Sequence, residues 1–194
     1  HYYIAECYEK LQQYEYAIEQ YKKSINLDPE FADAWLAVGM CFDELGKPNI
    51  AYAYIKKAVR LSPTMPEYWF ILGDIQIKLQ RYPEGISSYQ KVIELDPSDL
   101  EVWQALANVH TGLKDYPTAV QVLQEGLRHH GNNSDFYYSL AYFLFLDGQS
   151  KQAHEYLCKA MDLDSEGYKR LFVTFPDAGK HPAVVDIITS YRKE

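Results

Sequence analysis

The stretch that decides the fold runs from Ala32 to Pro63 and reads ADAWLAVGMCFDELGKPNIAYAYIKKAVRLSP. Apolar or small residues recur in it at helical spacing, first as Trp35, Val38, Gly39, Phe42 and Leu45, then as Ala51, Tyr54, Ile55, Ala58 and Leu61. Between the two runs lies Gly46-Lys47-Pro48, a group of turn residues. The stretch therefore predicts two short antiparallel helices joined by a tight turn.

The same pattern recurs along the chain with a period of 34 residues. Its columns are Trp35, Trp69, Trp103 and Tyr137; Pro29, Pro63 and Pro97; Ala5, Gly39, Gly73, Ala107 and Ala141; Ala17, Ala51, Gly85, Ala119 and Ala153; and Tyr21, Ile55, Tyr89, Leu123 and Leu157. The two columns of small residues let helix backbones approach closely while large side chains interdigitate around them. The proline column cannot continue the helix that it follows. These columns predict an array of stacked helical hairpins.

This period resembles the tetratricopeptide repeat, whose unit is a helical hairpin of the same length. The second unit carries the motif as Trp35, Val38-Gly39, Phe42, Ala51, Ile55, Ala58 and Pro63. The chain departs from the motif at Gln76, which replaces an aromatic residue, and at Gly126, which replaces an alanine.

The resemblance implies an all-α fold, a right-handed α-solenoid of stacked helix-turn-helix hairpins. It covers residues 1–167, as five repeats at about 1–31, 32–65, 66–99, 100–133 and 134–167. Residues 168–194 are predicted to form a C-terminal capping helix pair, a degenerate sixth repeat that covers the apolar face of the fifth.

The composition excludes several classes of function. Lys and Arg number 19 against 27 Asp and Glu, a net charge of −8, so a nucleic-acid-binding surface of clustered basic residues is not expected. No apolar run approaches the ~18 residues of a membrane span; the longest, Leu140 to Leu146, ends at Asp147. Three cysteines do not make a closed disulfide framework, which favours a reducing, cytoplasmic location.

The sequence carries no recognisable motif for catalysis, cofactor binding or metal binding. Cys7 and Cys41 lie one period apart and are interpreted as small core residues, because alanine is common in that column of the family. His129 and His130 are neighbours, and adjacent helix residues do not face one way, so a zinc site is not expected there. We therefore expect neither enzymatic activity nor a cofactor.

The family resemblance also implies a concave groove lined by the first helix of each unit. The lining positions hold nine acids and two bases, so an acidic groove is expected, most clearly toward its N-terminal end. Some of these acids lie in first helical turns, where the helix dipole favours them without any ligand. The candidate partner-binding residues are Glu6, Asp43, Glu44, Phe70, Asp74, Tyr138, Tyr142 and Phe145. The last three form one stripe, which is core if the cap covers it and an apolar binding patch if it does not.

The predicted function is that of a protein–protein interaction scaffold or adaptor. Its partner would be a peptide or domain, basic or neutral, with apolar anchors for the groove. The alternative is a non-catalytic positioning or oligomerisation module of a larger protein whose activity lies elsewhere. No Met precedes His1 and the first helix starts within its expected unit, so the chain is interpreted as a fragment in which that truncated helix offers a surface for self-association.

Overall fold

The computed structural model describes residues 1–191, which form α-helices joined by short turns and contain no strand. The helices are α1 (Tyr2–Lys10), α2 (Tyr14–Leu27), α3 (Ala32–Glu44), α4 (Pro48–Leu61), α5 (Pro66–Lys78), α6 (Tyr82–Leu95), α7 (Leu100–Gly112), α8 (Tyr116–His130), α9 (Ser134–Leu146), α10 (Ser150–Leu163), α11 (Tyr168–Thr174) and α12 (Pro182–Tyr191). A 3-10 turn, Ala178–Lys180, lies between the last two. The all-α prediction is confirmed, while Arg192, Lys193 and Glu194 of the predicted cap lie outside the described residues.

The helices fall into two compact units, unit 1 at His1–Asp96 and unit 2 at Pro97–Glu194. In unit 1 the hairpins pair α1 with α2, α3 with α4 and α5 with α6. Successive hairpins stack because α2 packs on α3 and α4 packs on α5. In unit 2, α7 pairs with α8 and α9 with α10, and α8 packs on α9. The sequence repeat gives no sign of this division, because its 34-residue spacing continues unchanged on both sides of residue 96.

The turn inside each hairpin has the same backbone conformation in all five hairpins. One residue per turn takes a positive φ, and these residues are spaced by one period: Gln12, Gly46, Gln80, Lys114 and Gly148. In the second hairpin the amide of Lys47 donates to the carbonyl of Phe42 at 2.9 Å, as in a Schellman motif. That bond satisfies a carbonyl left open at the end of α3. Glycine suits two of these positions because it adopts a positive φ without strain.

A recurring hydrogen bond accounts for the tryptophan and proline columns. The indole nitrogens of Trp35, Trp69 and Trp103 donate to the carbonyls of Pro29, Pro63 and Pro97 at 2.9, 2.8 and 3.0 Å. An indole N–H needs an acceptor when its ring packs against the protein, and the turn before each first helix supplies one. In the fifth hairpin Tyr137 replaces the tryptophan and Gly131 replaces the proline, so both members of the pair change together.

The small-residue columns mark the closest approaches between helices. A Cβ atom added to Gly39 would lie 2.5 Å from Cγ1 of Ile55 and 3.2 Å from the backbone oxygen of Ala51. A Cβ atom on Gly73 would lie 2.6 Å from the ring of Tyr89. The large apolar column therefore fills the space that the small column leaves, as the spacing predicts.

The segment after α10 covers the last hairpin of unit 2. Helix α11 packs on α9, and α12 packs on α10 and on the 3-10 turn. Phe175, just after α11, places its ring 5.4 Å from that of Tyr142 and 5.3 Å from that of Phe143. Val184 and Ile188 of α12 are buried. These contacts remove the apolar face of α9 and α10 from solvent.

Candidate functional site

The main candidate site is a groove in unit 1, between the first helices of its hairpins. Its volume is about 520 Å³. The lining residues are Tyr2, Glu6, Glu9, Lys10, Gln12, Tyr14, Tyr21, Asp33, Leu36, Ala37, Met40, Glu44, Glu67 and Tyr68. Five carboxylates face one lysine in this set, so the groove presents a negative surface with an apolar floor and aromatic walls.

The five carboxylates fall into two classes. Glu9 accepts a hydrogen bond of 2.6 Å from the hydroxyl of Tyr21, and Asp33 accepts one from the hydroxyl of Tyr68. The other three are Glu6, Glu44 and Glu67, which form no ion pair with any residue in the described range 1–191. Of these, Glu44 also lies beside a phenol: burial first, and then the charge of Glu44 and a hydrogen bond with it, raise the pKa of Tyr14. These three side chains therefore retain their capacity to pair with a cationic ligand.

The tyrosines report the negative potential of the groove. Burial raises the pKa of Tyr2 to about 12, and nearby carboxylates add to the shift. In decreasing order of effect these carboxylates are Asp33, Glu6, Glu9 and Glu67. Burial, followed by the hydrogen bond to Glu9, also raises the pKa of Tyr21. Because negative charges disfavour the phenolate, the phenols of the groove are neutral hydrogen-bond donors at physiological pH.

A smaller hollow of about 160 Å³ adjoins this groove and shares Met40 and Glu44 with it. Asp43 and Asp74 lie in its lining. Asp43 is paired with Lys78 at 2.5 Å, and Asp74 accepts a hydrogen bond of 2.5 Å from the hydroxyl of Tyr89. The structure thus brings Glu6, Asp43, Glu44 and Asp74 to one side of unit 1, although Asp43 already has a cationic partner.

Phe70 does not line either hollow. Its ring lies 5.5 Å from that of Tyr89, within the hairpin formed by α5 and α6. The apolar part of the groove is instead provided by Leu36, Ala37 and Met40, of which Met40 is 39% exposed.

Family comparison places the chain among proteins built from the same hairpin. The family described as "Tetratricopeptide repeat" matches residues 30–172, and the family described as "TPR repeat" matches residues 6–46. The first match spans well over half of the chain. The chain belongs to the tetratricopeptide repeat (TPR) family.

Solved structures share the fold of this chain. The MamA protein is 23% identical, with a TM-score of 0.75 over 86% of this chain and 91% of that chain. YrrB, described as a TPR protein with an unusual peptide-binding site, is 19% identical, with a TM-score of 0.70 over 89% of each chain. The C-terminal part of a TPR repeat-containing protein from Cytophaga hutchinsonii is 18% identical, with a TM-score of 0.76 over 96% of this chain and 76% of that chain. At these identities the likeness shows the fold alone. No curated protein matches the chain significantly.

In this TPR chain the aromatic stripe on α9 is part of the core, which corrects the expectation that it anchors a ligand. Tyr138, Tyr142 and Phe145 are 1%, 6% and 7% exposed. The hydroxyl of Tyr138 donates to the backbone carbonyl of Asp164 at 2.6 Å, and the ring of Phe145 lies 5.2 Å from that of His181. The stripe is covered because the segment after α10 packs against it, so these rings are not available to a partner.

The interpretation of the two cysteines holds for only one of them. Cys41 is buried with Ala17 and Ile18 of α2, as expected for its column, whereas Cys7 is exposed. The corresponding face of α1 also exposes Ile4 at 52% and Leu11 at 67%. A residue in this column is buried when the second helix of the preceding hairpin packs against it. For Cys41 on α3, that helix is α2.

Unit 2 holds two polar clusters of its own. Gln104 donates to Asn108 at 2.9 Å, and Arg170 pairs with Asp135 and with Asp164, each at 2.7 Å. Elsewhere in the unit, His154 and Cys158 lie one helical turn apart in a hollow of about 310 Å³ between α10 and α12. Within residues 1–191, no group of three or more His, Cys, Asp or Glu side chains could hold a metal ion. None of the helices described in this TPR chain is long and apolar enough to cross a bilayer.

Of the four tyrosines of the groove, Tyr2 occupies a groove position of the family pattern and the other three do not. Tyr14 and Tyr21 belong to α2 and Tyr68 occupies the third position of its unit, none of which is a groove position in the family pattern. The available signal was the high tyrosine content of 18 residues. Tyr21 comes to line the groove because its long phenol carries the hydroxyl to Glu9 of the first helix.

Proposed function

We propose that this TPR chain is a non-catalytic interaction scaffold that holds an extended, basic segment of a partner protein in the groove of unit 1. The observation that supports this most directly is the set of unpaired carboxylates, Glu6, Glu44 and Glu67, facing one open groove. Membership of the TPR family supports an interaction role. YrrB, a TPR protein with an unusual peptide-binding site, supports the proposal that a TPR fold of this kind holds a peptide.

The proposed contacts divide into charged and apolar ones. Glu6, Asp43, Glu44 and Asp74 would attract the partner and select for basic side chains, because interfacial charge mainly sets association rate and specificity. Leu36, Ala37 and Met40 would receive apolar side chains, which supply most of the affinity at such interfaces. Met40 suits this role because a thioether side chain adapts to different partners.

The test is a binding measurement with a labelled, unstructured peptide that mixes Arg, Lys, Ser and Leu. The variant Glu6→Lys/Glu44→Lys reverses two groove charges without breaking an ion pair. It should weaken binding by on the order of tenfold at about 50 mM salt and little at about 500 mM, where the Debye length is a few ångströms.

A matched control removes the effect of net charge. Glu15→Lys/Glu30→Lys changes the total charge equally, and both residues are exposed in unit 1 outside the groove. This control should bind within about twofold of the parent, since it leaves the groove intact. Equal loss in both double variants would show that net charge, and not the groove, attracts the peptide. No loss in either would remove the groove as the binding surface.

A further inference from the structure

One part of the groove has walls of a distinct chemical kind, and we name it the tyrosine pocket. Its rings are Tyr2, Tyr14, Tyr21 and Tyr68, and its carboxylates are Glu6, Glu9, Asp33, Glu44 and Glu67. The ring centroids of Tyr2 and Tyr21 lie 5.2 Å apart, and Tyr2 also packs 4.9 Å from Phe31. These contacts hold the aromatic wall in a fixed position beside the carboxylates.

The pocket offers mainly hydrogen-bond acceptors. The hydroxyls of Tyr21 and Tyr68 are already committed as donors to Glu9 and Asp33. The remaining carboxylates, Glu6, Glu44 and Glu67, have no ion-pair partner in the described part of the chain. A ligand that fits the pocket must therefore bring several donors and a positive charge.

The arrangement of the carboxylates discriminates between kinds of cation. They are spread around the pocket, and across residues 1–191 no three acidic, histidine or cysteine side chains converge as a metal ion requires. An ammonium group is a compact charge with three donors, whereas a guanidinium is a flat group with five donors that also stacks on aromatic rings. The combination of separated acceptors and tyrosine rings matches the guanidinium.

We propose that the tyrosine pocket accepts one arginine side chain of the bound segment. The guanidinium stacks on the ring of Tyr2 or Tyr14, because Tyr21 and Tyr68 are only 1% and 3% exposed. It pairs with Glu6, Glu44 and Glu67, the carboxylates without an ion-pair partner. This inference rests on the proposed function, because it assigns a side-chain specificity to the same groove.

The experiment uses three peptides that differ at one position, which holds arginine, lysine or citrulline. Citrulline has nearly the shape of arginine without its charge. With the intact chain at about 50 mM salt, the arginine peptide should bind on the order of tenfold more tightly than the citrulline peptide. It should bind about threefold to thirtyfold more tightly than the lysine peptide, because cation–π stacking and bidentate pairing favour the guanidinium.

Variants then test whether the preference arises in the pocket. Tyr14→Leu removes one ring and should bring the arginine-to-lysine ratio toward one, whereas Tyr14→Phe retains the ring and should preserve it. Tyr16→Leu is the control, since Tyr16 lies on the same helix and is 60% exposed outside the pocket. Glu44→Gln provides a second test that does not depend on packing, because Glu44 is exposed, and it should also lower the ratio.

The outcomes separate this inference from the proposed function. Equal binding of the arginine and lysine peptides, both tighter than citrulline, would overturn the arginine pocket and leave the acidic groove standing. A ratio unchanged in both Tyr14→Leu and Glu44→Gln would place the preference elsewhere and overturn the assignment. Equal binding of all three peptides would overturn the arginine pocket, and the acidic groove would fall with it if Glu6→Lys/Glu44→Lys also left binding unchanged.

Discussion

Equivalent positions on the first helices line an open groove in unit 1 and are largely buried in unit 2. In unit 1, Met40 and Glu44 of α3 face an open groove. In unit 2, the same positions of the repeat are Tyr142 and Leu146 on α9, and Tyr142 is 6% exposed. The difference arises because the segment after α10 packs on α9. A groove position in this repeat is accessible only where no later segment of the chain covers it.

The two units also differ in how their acids are used. Both contain an ion pair between residues 35 apart, Lys78 with Asp43 in unit 1 and Arg170 with Asp135 in unit 2. In unit 2 the same arginine also pairs with Asp164, and this hydrogen bond lowers the pKa of the Asp164 carboxyl. Acids in unit 2 therefore fix α11 in place, while three acids of unit 1 remain available to a ligand.

The largest expected effect comes from removing the segment that distinguishes the units. Deleting residues 168–194 should expose Tyr138, Tyr142 and Phe145 and abolish the cooperative unfolding of unit 2, because its apolar face would meet water. Trp103 lies in unit 2 and the other two tryptophans lie in unit 1, so fluorescence of single-tryptophan variants would follow each unit during urea unfolding. Unit 1 should unfold as in the parent chain.

Single substitutions provide the control for this deletion. Phe175→Ala removes a ring that packs on Tyr142 and should lower the free energy of unfolding of unit 2 by about 1–3 kcal/mol. Val173→Ala alters a side chain that is 82% exposed and should change it by less than about 0.5 kcal/mol. A truncated chain in which unit 2 stays monomeric and equally stable would mean that the segment is a tail and that the stripe is open to ligands.

A smaller effect on stability is expected when a methyl group is added where two helices cross closely. Unit 1 has Gly39 where unit 2 has Ala107, although both lie in one column. Gly39→Ala should cost about 1–3 kcal/mol, because the new Cβ would meet Ile55 and the backbone of Ala51. Gly112→Ala is the control: a Cβ there meets nothing within 4 Å, so stability should rise by up to about 1 kcal/mol.

Urea unfolding of the two glycine variants measures this difference. Equal stability of Gly39→Ala and the parent would mean that Ile55 moves aside at little cost and that α3 and α4 are not held at a close crossing. A loss in Gly112→Ala would mean that position 112 is more crowded than the structure indicates.

Much of the fold was predictable because its determinants are local and periodic. The spacing of Trp35, Gly39 and Ile55 predicts two helices, their facing sides and their close crossing, and the structure places these residues accordingly. The acidic side of unit 1 was also predictable, since groove positions follow from the same period. Glu6 and Glu44 indeed line one groove.

The remaining features depend on parts of the chain that do not repeat. The path of residues 175–181 has no periodic signal, so the burial of Phe145 by His181 could not be inferred from spacing. The hydrogen bond of Tyr21 to Glu9 at the groove depends on the length and hydroxyl of this side chain, which its column of large residues does not specify. The ion pair between Asp43 and Lys78 likewise depends on the distance between successive hairpins, which the sequence spacing does not give.

The smallest expected effect concerns the tyrosine hydroxyls, whose pKa shifts have different causes in the two units. The pKa of Tyr2 is raised to about 12 by burial and then by four carboxylates, whereas that of Tyr142 is raised by burial and then by Asp177 and Tyr116. Because the folded pKa of Tyr2 lies above the unfolded value of about 10, its contribution to stability is complete below pH 10 and is lost as pH rises toward 12.

Neutralising one groove acid should therefore lower the pKa of Tyr2 and leave the pKa of Tyr142 unchanged. In Glu6→Gln the pKa of Tyr2 should fall, because one of its repelling charges is gone, and the loss of stability should begin at a lower pH. NMR titration of tyrosines labelled at Cζ would resolve the two rings, with Glu15→Gln as the control outside the groove. An unchanged Tyr2 titration in Glu6→Gln would mean that Glu6 does not contribute to the raised pKa of Tyr2. The negative potential at Tyr2 would then come from Asp33, Glu9 and Glu67, and Glu6 would lose its place among the groove acids proposed to attract a basic segment.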